Sequence, residues 1–150
     1  MTQDASPPRS PEEIKAVARN ALGVPLLRLL QAAPVKDDDP TAGTVITVGD
    51  EALNAVDTLH AGAIATLLEI TAYLALLPSL GRDEEAATHA FSSSYMRAGL
   101  AGDELRCRAT VLHRSRRLAV VAAELRRGDE LIANATVTKS ILRSRPSPSS

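Results

Sequence analysis

Aromatic residues and cysteines are scarce in this chain, and each scarcity excludes a class of function. The 150 residues contain one Phe, two Tyr, no Trp and a single cysteine, Cys107. So few rings do not make the stacking platform that single-stranded nucleic acid needs, and a net charge of -1 gives no basic surface for DNA or RNA. One cysteine permits neither an intrachain disulfide nor a cysteine-based metal site. We therefore expect no nucleic-acid partner and no bound metal.

The sequence also predicts neither a signal peptide nor a membrane span. The first ten residues include two Pro, one Asp and one Arg and have no apolar core, so we expect no signal peptide. Residues 61–80 are strongly apolar, but Glu69 lies within them and Pro78 interrupts them, whereas a span needs about 20 apolar residues. A carboxylate at mid-bilayer would cost about 2.5 kcal/mol or more. We expect a cytoplasmic protein in which this stretch is a buried helix, with no membrane partner.

Length and local pattern indicate one α+β domain. The chain is long enough to bury roughly 70% of its unfolded surface, and its Pro- and Ser-rich ends predict disordered tails over residues 1–10 and 144–150, leaving a single domain over 11–143. Ser10-Pro11-Glu12-Glu13 is typical of a helix start, which predicts a helix from Pro11 to about Asn20 that Gly23 ends. Alternation and turn residues predict strands over residues 26–33, 44–48, 86–97, 104–113, 118–126 and 130–142.

The longest apolar run, Leu59 to Leu77, organises the rest of the chain. A helix that is apolar on nearly all sides must be covered, and short connections make the last four strands antiparallel neighbours. The predicted fold is therefore an antiparallel sheet curled around one long central helix, whose uncovered face needs a partner chain. Glu69 lies among Leu67, Leu68 and Ile70, where a carboxylate is costly unless it is paired or used. A functional acid is favoured over a structural one.

Three segments resemble the hotdog-fold acyl-CoA thioesterases, and specifically the branch typified by the phenylacetate-pathway thioesterase. Asn54, the helix-opening triplet His60-Ala61-Gly62 and an acid nine residues after the His are similar to that family's Asn, His-Gly-Gly and Asp or Glu. Residues 94–103 resemble its Tyr-x-Arg-Pro-x-x-x-Gly-Asp turn, and residues 124–133 resemble its closing hairpin. The likeness covers about residues 20–140. Ala61 in place of the middle Gly and Ala98 in place of the turn Pro depart from the pattern.

The resemblance implies a dimeric hotdog fold and hydrolysis of an acyl-CoA thioester to a free acid and CoA, with no cofactor beyond the CoA moiety of the substrate. By position, Glu69 would be the general base or the nucleophile, and the backbone N–H of Ala61 would bind the thioester oxygen. His60 and Asn54 would position or polarise the thioester, although a helix cap and an Asx-turn explain them equally well. Thr88 would orient water, or is an ordinary strand residue. The remaining substrate-binding candidates are Gly62 and, for the CoA phosphates, Arg97, Arg116 and Arg117, for which solvent exposure is the alternative.

The spacing of His60 and Glu69 adds an inference that does not depend on the family. Nine helical residues span roughly 13 Å and two and a half turns, so the two side chains face different directions. One helix therefore does not bring both to one carbonyl, whereas two antiparallel helices in a dimer do. We predict an active site at a twofold interface, with His60 and Ala61 from one chain and Glu69 from the other, in a homodimer or a homotetramer.

Two other functions fit parts of the pattern. A hotdog dehydratase or hydratase would pair an Asp with a His, typically with Asn-Pro before the His, and Asp57 is the nearest match without that Pro. A non-catalytic acyl-CoA-binding module would tolerate the departures at Ala61 and Ala98. The acyl group itself is not specified by the sequence.

Overall fold

The computed structural model describes residues 6–144, which form three α-helices, three short 3-10 helices and a six-stranded sheet. The helices are α1 (Pro11–Leu22), α2 (Pro25–Leu29) and α3 (Ala61–Leu76). The strands are β1 (Ala33–Pro34), β2 (Thr44–Thr47), β3 (Glu84–Tyr95), β4 (Glu104–Arg114), β5 (Leu118–Arg127) and β6 (Glu130–Arg143). The predicted α+β class is confirmed.

The sheet is antiparallel and wraps around α3, as the apolar character of that helix requires. Its strand order is β1-β2-β4-β5-β6-β3, which leaves β3 at one edge. Leu68, Ala72 and Leu74 of α3 are fully buried, as are Val121 and Val137 on the facing strands. Burying a Leu or Val side chain contributes about 1.5–3 kcal/mol relative to leaving it exposed, so the contact between helix and sheet dominates the core.

Helix α3 is also the stretch that first suggested a membrane span. Residues Ala61–Ser79 have a mean hydropathy of 1.6 and the length to cross a bilayer. Half of this window is nevertheless buried inside the protein, and the buried hydroxyl of Thr71 has a partner, since it lies 2.6 Å from the hydroxyl of Thr44. The apolar run is explained by the core that it fills.

The predicted strand over residues 26–33 is wrong for most of its length. Residues 25–29 form the short helix α2, which begins at Pro25 in the first helical position, where the fixed φ of proline suits a helix. Leu27 and Leu30 are buried three residues apart, a helical spacing. Gln31 then adopts a left-handed conformation (φ 54°), which ends the helix. Only Ala33 and Pro34 pair as a strand.

The N-terminal tail prediction is also corrected in part. Residues 1–5 and 145–150 lie outside the described residues, whereas residues 6–10 pack against the loop after α3. The Arg82 N–H donates to the Pro7 carbonyl at 3.1 Å, and Arg9 donates to the Glu84 carbonyl at 2.8 Å and pairs with Glu85. Ser10 caps α1 in a reciprocal capping box with Glu13. Polar composition alone did not reveal these long-range contacts.

Candidate active site

The N-terminus of α3 presents an unpaired backbone amide to solvent. His60 is the N-cap, and its Nδ1 accepts a hydrogen bond from the Gly62 N–H at 2.8 Å. The Ala63 and Ile64 N–H groups both donate to the His60 carbonyl. Within residues 6–144, the N–H of Ala61 has no hydrogen-bond partner, and Ala61 is exposed. A free N–H at the positive end of a sixteen-residue helix is suited to bind a carbonyl oxygen that gains negative charge.

Gly62 is needed where the cap histidine folds back over the helix. A Cβ at this position would lie 3.1 Å from His60 Nδ1, which is closer than ordinary van der Waals contact. A larger residue would therefore displace the ring that caps the helix. The predicted substrate-binding role of Gly62 remains a prediction, and its structural role is to make room for the cap.

Asn54 is engaged in its own loop. Its Oδ1 accepts from the N–H groups of Val56 (3.0 Å) and Thr58 (3.1 Å), and its Nδ2 donates to the Thr58 hydroxyl at 2.8 Å. This is the Asx-turn that was the alternative explanation for the residue. The loop leads directly into α3, so Asn54 fixes the approach to the helix start. Asp57, the residue on which the dehydratase hypothesis rested, is exposed in the same loop with φ 59°.

Glu69 and Thr88 are in direct contact, as a shared role in a site requires. The Thr88 hydroxyl donates to Glu69 Oε1 at 2.7 Å. The Glu69 side chain is 36% exposed, and its Oε2 has no hydrogen-bond partner in the described part of the chain. Thr88 lies where the pairing of β3 with β6 shifts register between Thr88 and Ala90. Such a bulge re-aims side chains and is common beside active sites.

Lys139 completes this cluster, and the sequence analysis did not identify it. It lies on β6 directly opposite Thr88, its side chain is 1% exposed, and its Nζ forms an ion pair with Glu69 Oε1. The same Nζ donates to the Thr88 hydroxyl at 2.9 Å. A signal was available: Ala135, Val137 and Ile141 are the buried alternate positions of β6, and a Lys interrupts that apolar series.

A partly apolar cleft of about 350 Å³ opens beside Glu69. It contains the carboxylate and the Thr88 hydroxyl among otherwise mostly apolar side chains. Its other lining residues are Leu26, Ala65, Thr66 and Phe91. Leu26 comes from α2, the segment that was predicted to be a strand. The cleft places an acid beside a surface that an acyl chain can contact.

Helix α3 keeps Ala61 and Glu69, the two groups of the predicted site, apart within one chain. Ala61 and Glu69 are separated by eight residues, or about 12 Å of helix. The described residues of a single chain therefore do not assemble both groups at one carbonyl carbon, as the spacing predicts.

The three predicted phosphate-binding arginines do not line the Glu69 cleft. Arg97 forms an ion pair with Glu130 at 3.3 Å. Arg116 and Arg117 border a separate cleft of about 270 Å³ with Ile141 and Arg143. Their role toward a substrate stays a prediction.

Two neutral acids near the core have strongly raised pKa values. Burial, followed by the nearby Glu85 carboxylate, raises the pKa of Tyr73 to about 12, and the Tyr73 hydroxyl donates to Glu85 at 3.2 Å. Burial likewise raises the pKa of the Cys107 thiol to about 12. Neither group is a ready base or nucleophile near neutral pH. Of these three groups, Glu69 is the one that lines the cleft.

Comparison with known proteins gives one family. The family model of the thioesterase superfamily matches residues 57–139, which is more than half of the chain. A search of curated protein sequences finds no match.

Several solved structures share the fold at appreciable identity. A conserved protein of Pseudomonas aeruginosa is 32% identical, with a TM-score of 0.74 over 83% of this chain and 99% of its own. A phenylacetic acid degradation-related protein of Ralstonia eutropha is 25% identical, with a TM-score of 0.68 over 82% of this chain and 97% of its own. A Streptococcus mutans protein, solved bound to acetyl-CoA, is 26% identical, with a TM-score of 0.63 over 69% of this chain and 82% of its own.

Proposed function

This chain belongs to the thioesterase superfamily, and from that premise we propose that it hydrolyses an acyl-CoA thioester to a free acid and coenzyme A. The family and the sheet around α3 make it a thioester hydrolase of hotdog fold. The acyl-CoA class of substrate is supported by the Streptococcus mutans neighbour, which was solved with acetyl-CoA. We place the enzyme in the cytoplasm and assign it no cofactor.

The observation that carries the proposal is the position and hydrogen bonding of the Glu69 carboxylate. Its carboxylate stands at the mouth of the cleft with Oε1 held by Thr88 and Lys139 and with Oε2 unengaged among the described residues. A carboxylate fixed in this way presents one oxygen to a bound molecule. Leu26, Ala65 and Phe91 beside it offer an apolar surface to an acyl chain.

The reaction needs a base or nucleophile and an oxyanion donor. Glu69 Oε2 accepts a proton from a water molecule whose oxygen attacks the thioester carbon, or it attacks that carbon itself to give a mixed anhydride that water then cleaves. In both courses the carbonyl oxygen becomes negatively charged and the Ala61 N–H stabilises it. The C–S bond then breaks, and the CoA thiolate leaves and takes up a proton.

The site requires a second copy of the chain. Because Ala61 and Glu69 lie about 12 Å apart along one helix, we assign them to one site only across a twofold axis that sets two α3 helices antiparallel. His60 and Ala61 then come from one protomer and Glu69 from its partner. Strand β3, whose outer edge is unpaired among the described residues, offers a surface for that association.

Replacing Ala61 by proline tests the oxyanion donor without removing a side chain function. Proline lacks the N–H but is favoured at the first helical position, and His60, with ψ 135°, already has the conformation that precedes a proline. We expect Ala61→Pro to retain its far-UV circular dichroism and to lose about 10²–10³-fold in kcat on an acyl-CoA panel.

Ala61→Gly is the matched control, because it keeps the N–H and should remain within a few-fold of wild type.

Glu69→Gln should lose about 10²–10⁴-fold in kcat. Full turnover by Glu69→Gln would overturn the assignment. Binding of acyl-CoA without turnover by the wild type would instead identify a binding module.

A further inference from the structure

Lys139 is a charged side chain in a position that the fold would fill with an apolar one. It is 1% exposed and belongs to the inward series of β6, between Val137 and Ile141. A buried ion pair is often no more stabilising than well-packed apolar residues of similar volume. The packing of the core therefore does not by itself account for a lysine here.

The charge has a specific partner on the neighbouring helix. Lys139 Nζ forms an ion pair with Glu69 Oε1 and donates to the Thr88 hydroxyl at 2.9 Å. The Thr88 hydroxyl donates to the same Glu69 oxygen at 2.7 Å. Two donors, one of them charged, thus converge on Oε1, and such charge-assisted bonds are roughly twice as strong as neutral ones.

The other titratable and charged groups around Lys139 are arranged in a second, adjoining chain of contacts. Its Nζ lies 5.6 Å from the centre of the Tyr73 ring on α3. The Tyr73 hydroxyl bonds to Glu85 of β3, and Glu85 is itself paired with Arg9 from the N-terminal segment at 3.1 Å. Glu85 is therefore already neutralised by Arg9, and Glu69 is the carboxylate left to neutralise Lys139.

We propose that Lys139 is a positioning residue for thioester hydrolysis, which holds Glu69 with Oε1 occupied and Oε2 facing the substrate. The inference rests on the proposed function, in which Glu69 is the reacting carboxylate. Lys139 does not touch the acyl group in this scheme. It restricts rotation of the carboxylate, so that Oε2 is held ready to act on the bound thioester.

A positioning role and a packing role give different kinetic results. Loss of positioning lowers kcat more than it changes KM, and a second cation at the same position restores kcat. A residue that only supported packing would lower stability without this separation of kcat from KM.

The experiment compares Lys139→Met, Lys139→Arg and Thr88→Val with wild type on the best substrate of a panel of acetyl-, octanoyl-, benzoyl- and phenylacetyl-CoA. For Lys139→Met we expect kcat to fall about 10-fold or more with KM changed less than about 3-fold. Lys139→Arg keeps the charge and should keep most of the wild-type kcat. Thr88→Val removes the neutral donor and should lower kcat.

Thermal stability measurements test the ion pair between Glu69 and Lys139 even if one of the single variants folds poorly. Glu69→Gln leaves Lys139 buried without its anion and should lower Tm by several degrees. The double variant Glu69→Gln with Lys139→Met should recover most of that loss. A double variant no more stable than Glu69→Gln alone would overturn the pairing.

The two proposals fail in different ways. Wild-type kcat in Lys139→Met, with Glu69→Gln inactive, would overturn the role of Lys139 and leave the proposed function intact. A fully active Glu69→Gln would overturn the proposed function itself. An inactive Glu69→Gln together with a lowered kcat in Lys139→Met that Lys139→Arg restores supports both.

Discussion

Cys107 carries a buried thiol that the fold makes unreactive. It lies on β4 with 1% of its surface exposed, at a position where alternate residues of the strand face the core. Burial raises the pKa of this thiol to about 12, with the hydrogen bond to Thr71 acting in the opposite direction. Because the thiolate is the reactive form, such a thiol is inert toward disulfide reagents.

We expect native Cys107 to remain unmodified by a thiol-reactive disulfide at pH 8 over minutes, and to react fully in guanidinium. The unfolded chain releases the thiol proton near pH 9, the ordinary value, whereas the folded chain retains it to about 12. Its contribution to stability is therefore complete below pH 9 and decreases as the pH rises toward 12, by about 1.4 kcal/mol per pH unit.

Urea unfolding of wild type and Cys107→Ala at pH 8 and pH 11 measures this slope. The unfolding free energy of wild type should fall relative to that of Cys107→Ala between pH 8 and pH 11. Rapid labelling of the native protein at pH 8 would contradict the buried, neutral thiol.

At the scale of elements, the turn between β3 and β4 is fastened to the β5–β6 hairpin. Asp103 accepts from the Leu100 N–H at 2.9 Å and from Arg127 Nη1 at 2.6 Å. Gly102 has φ 83°, which only glycine adopts readily. Arg127 also pairs with Glu130 across the hairpin. The Gly-Asp part of the family-like turn thus links the β3–β4 turn to the β5–β6 hairpin.

Asp103→Asn should destabilise the protein by about 1–2 kcal/mol, because it weakens a charge-assisted bond. The Leu100 N–H, and then the Arg127 guanidinium, lower the pKa of Asp103. A lowered pKa contributes stability above the ordinary value of the carboxyl and loses it as the pH falls through the folded value.

Chemical unfolding of wild type and Asp103→Asn at pH 7 and pH 3 tests this linkage. The difference in unfolding free energy between the two proteins should be smaller at pH 3 than at pH 7. Arg127→Gln provides the partner for a double-mutant cycle, and additive losses in that cycle would show that the two residues do not interact.

At the scale of the whole molecule, the proposed mechanism divides one reaction between two positions on helix α3. The amide of Ala61 and the carboxylate of Glu69 lie about 12 Å apart on this helix, and β3 has its outer edge unpaired within residues 6–144. A twofold pair of chains would satisfy both features at once. Such a dimer would contain two sites, each of which draws one group from each protomer.

Mixing two inactive variants tests this arrangement. In a dimer of one Ala61→Pro chain and one Glu69→Gln chain, one site carries both defects and the other carries neither. Co-refolding equal amounts should therefore restore about a quarter of wild-type activity, since half of the dimers are mixed and half of their sites are intact. If each site drew both groups from one chain, every site would keep a defect and no activity would return.

Features that depend on neighbouring residues could be predicted from the sequence, whereas contacts between residues far apart in the chain could not. The start of α1 at Ser10-Pro11, the long helix after His60 and the hairpin at Gly128 were all predictable, because caps, periodicity and turns are encoded within a few residues. Glu69 was predictable as a paired acid, because a single carboxylate in an apolar run is costly without a partner, and its functional role stays a prediction. Residues 25–29 were misread because so short a helix shows no period.

By itself, then, the sequence determined the α+β class, the central helix, and the spacing of Ala61 and Glu69 along that helix. Only the tertiary structure decided what surrounds Glu69. Lys139 is 70 residues away from it in sequence, and their meeting depends on the register that sets Thr88 opposite Lys139 and on the packing of α3 against β6. Strand register is a property of the assembled sheet, and no local pattern encodes it.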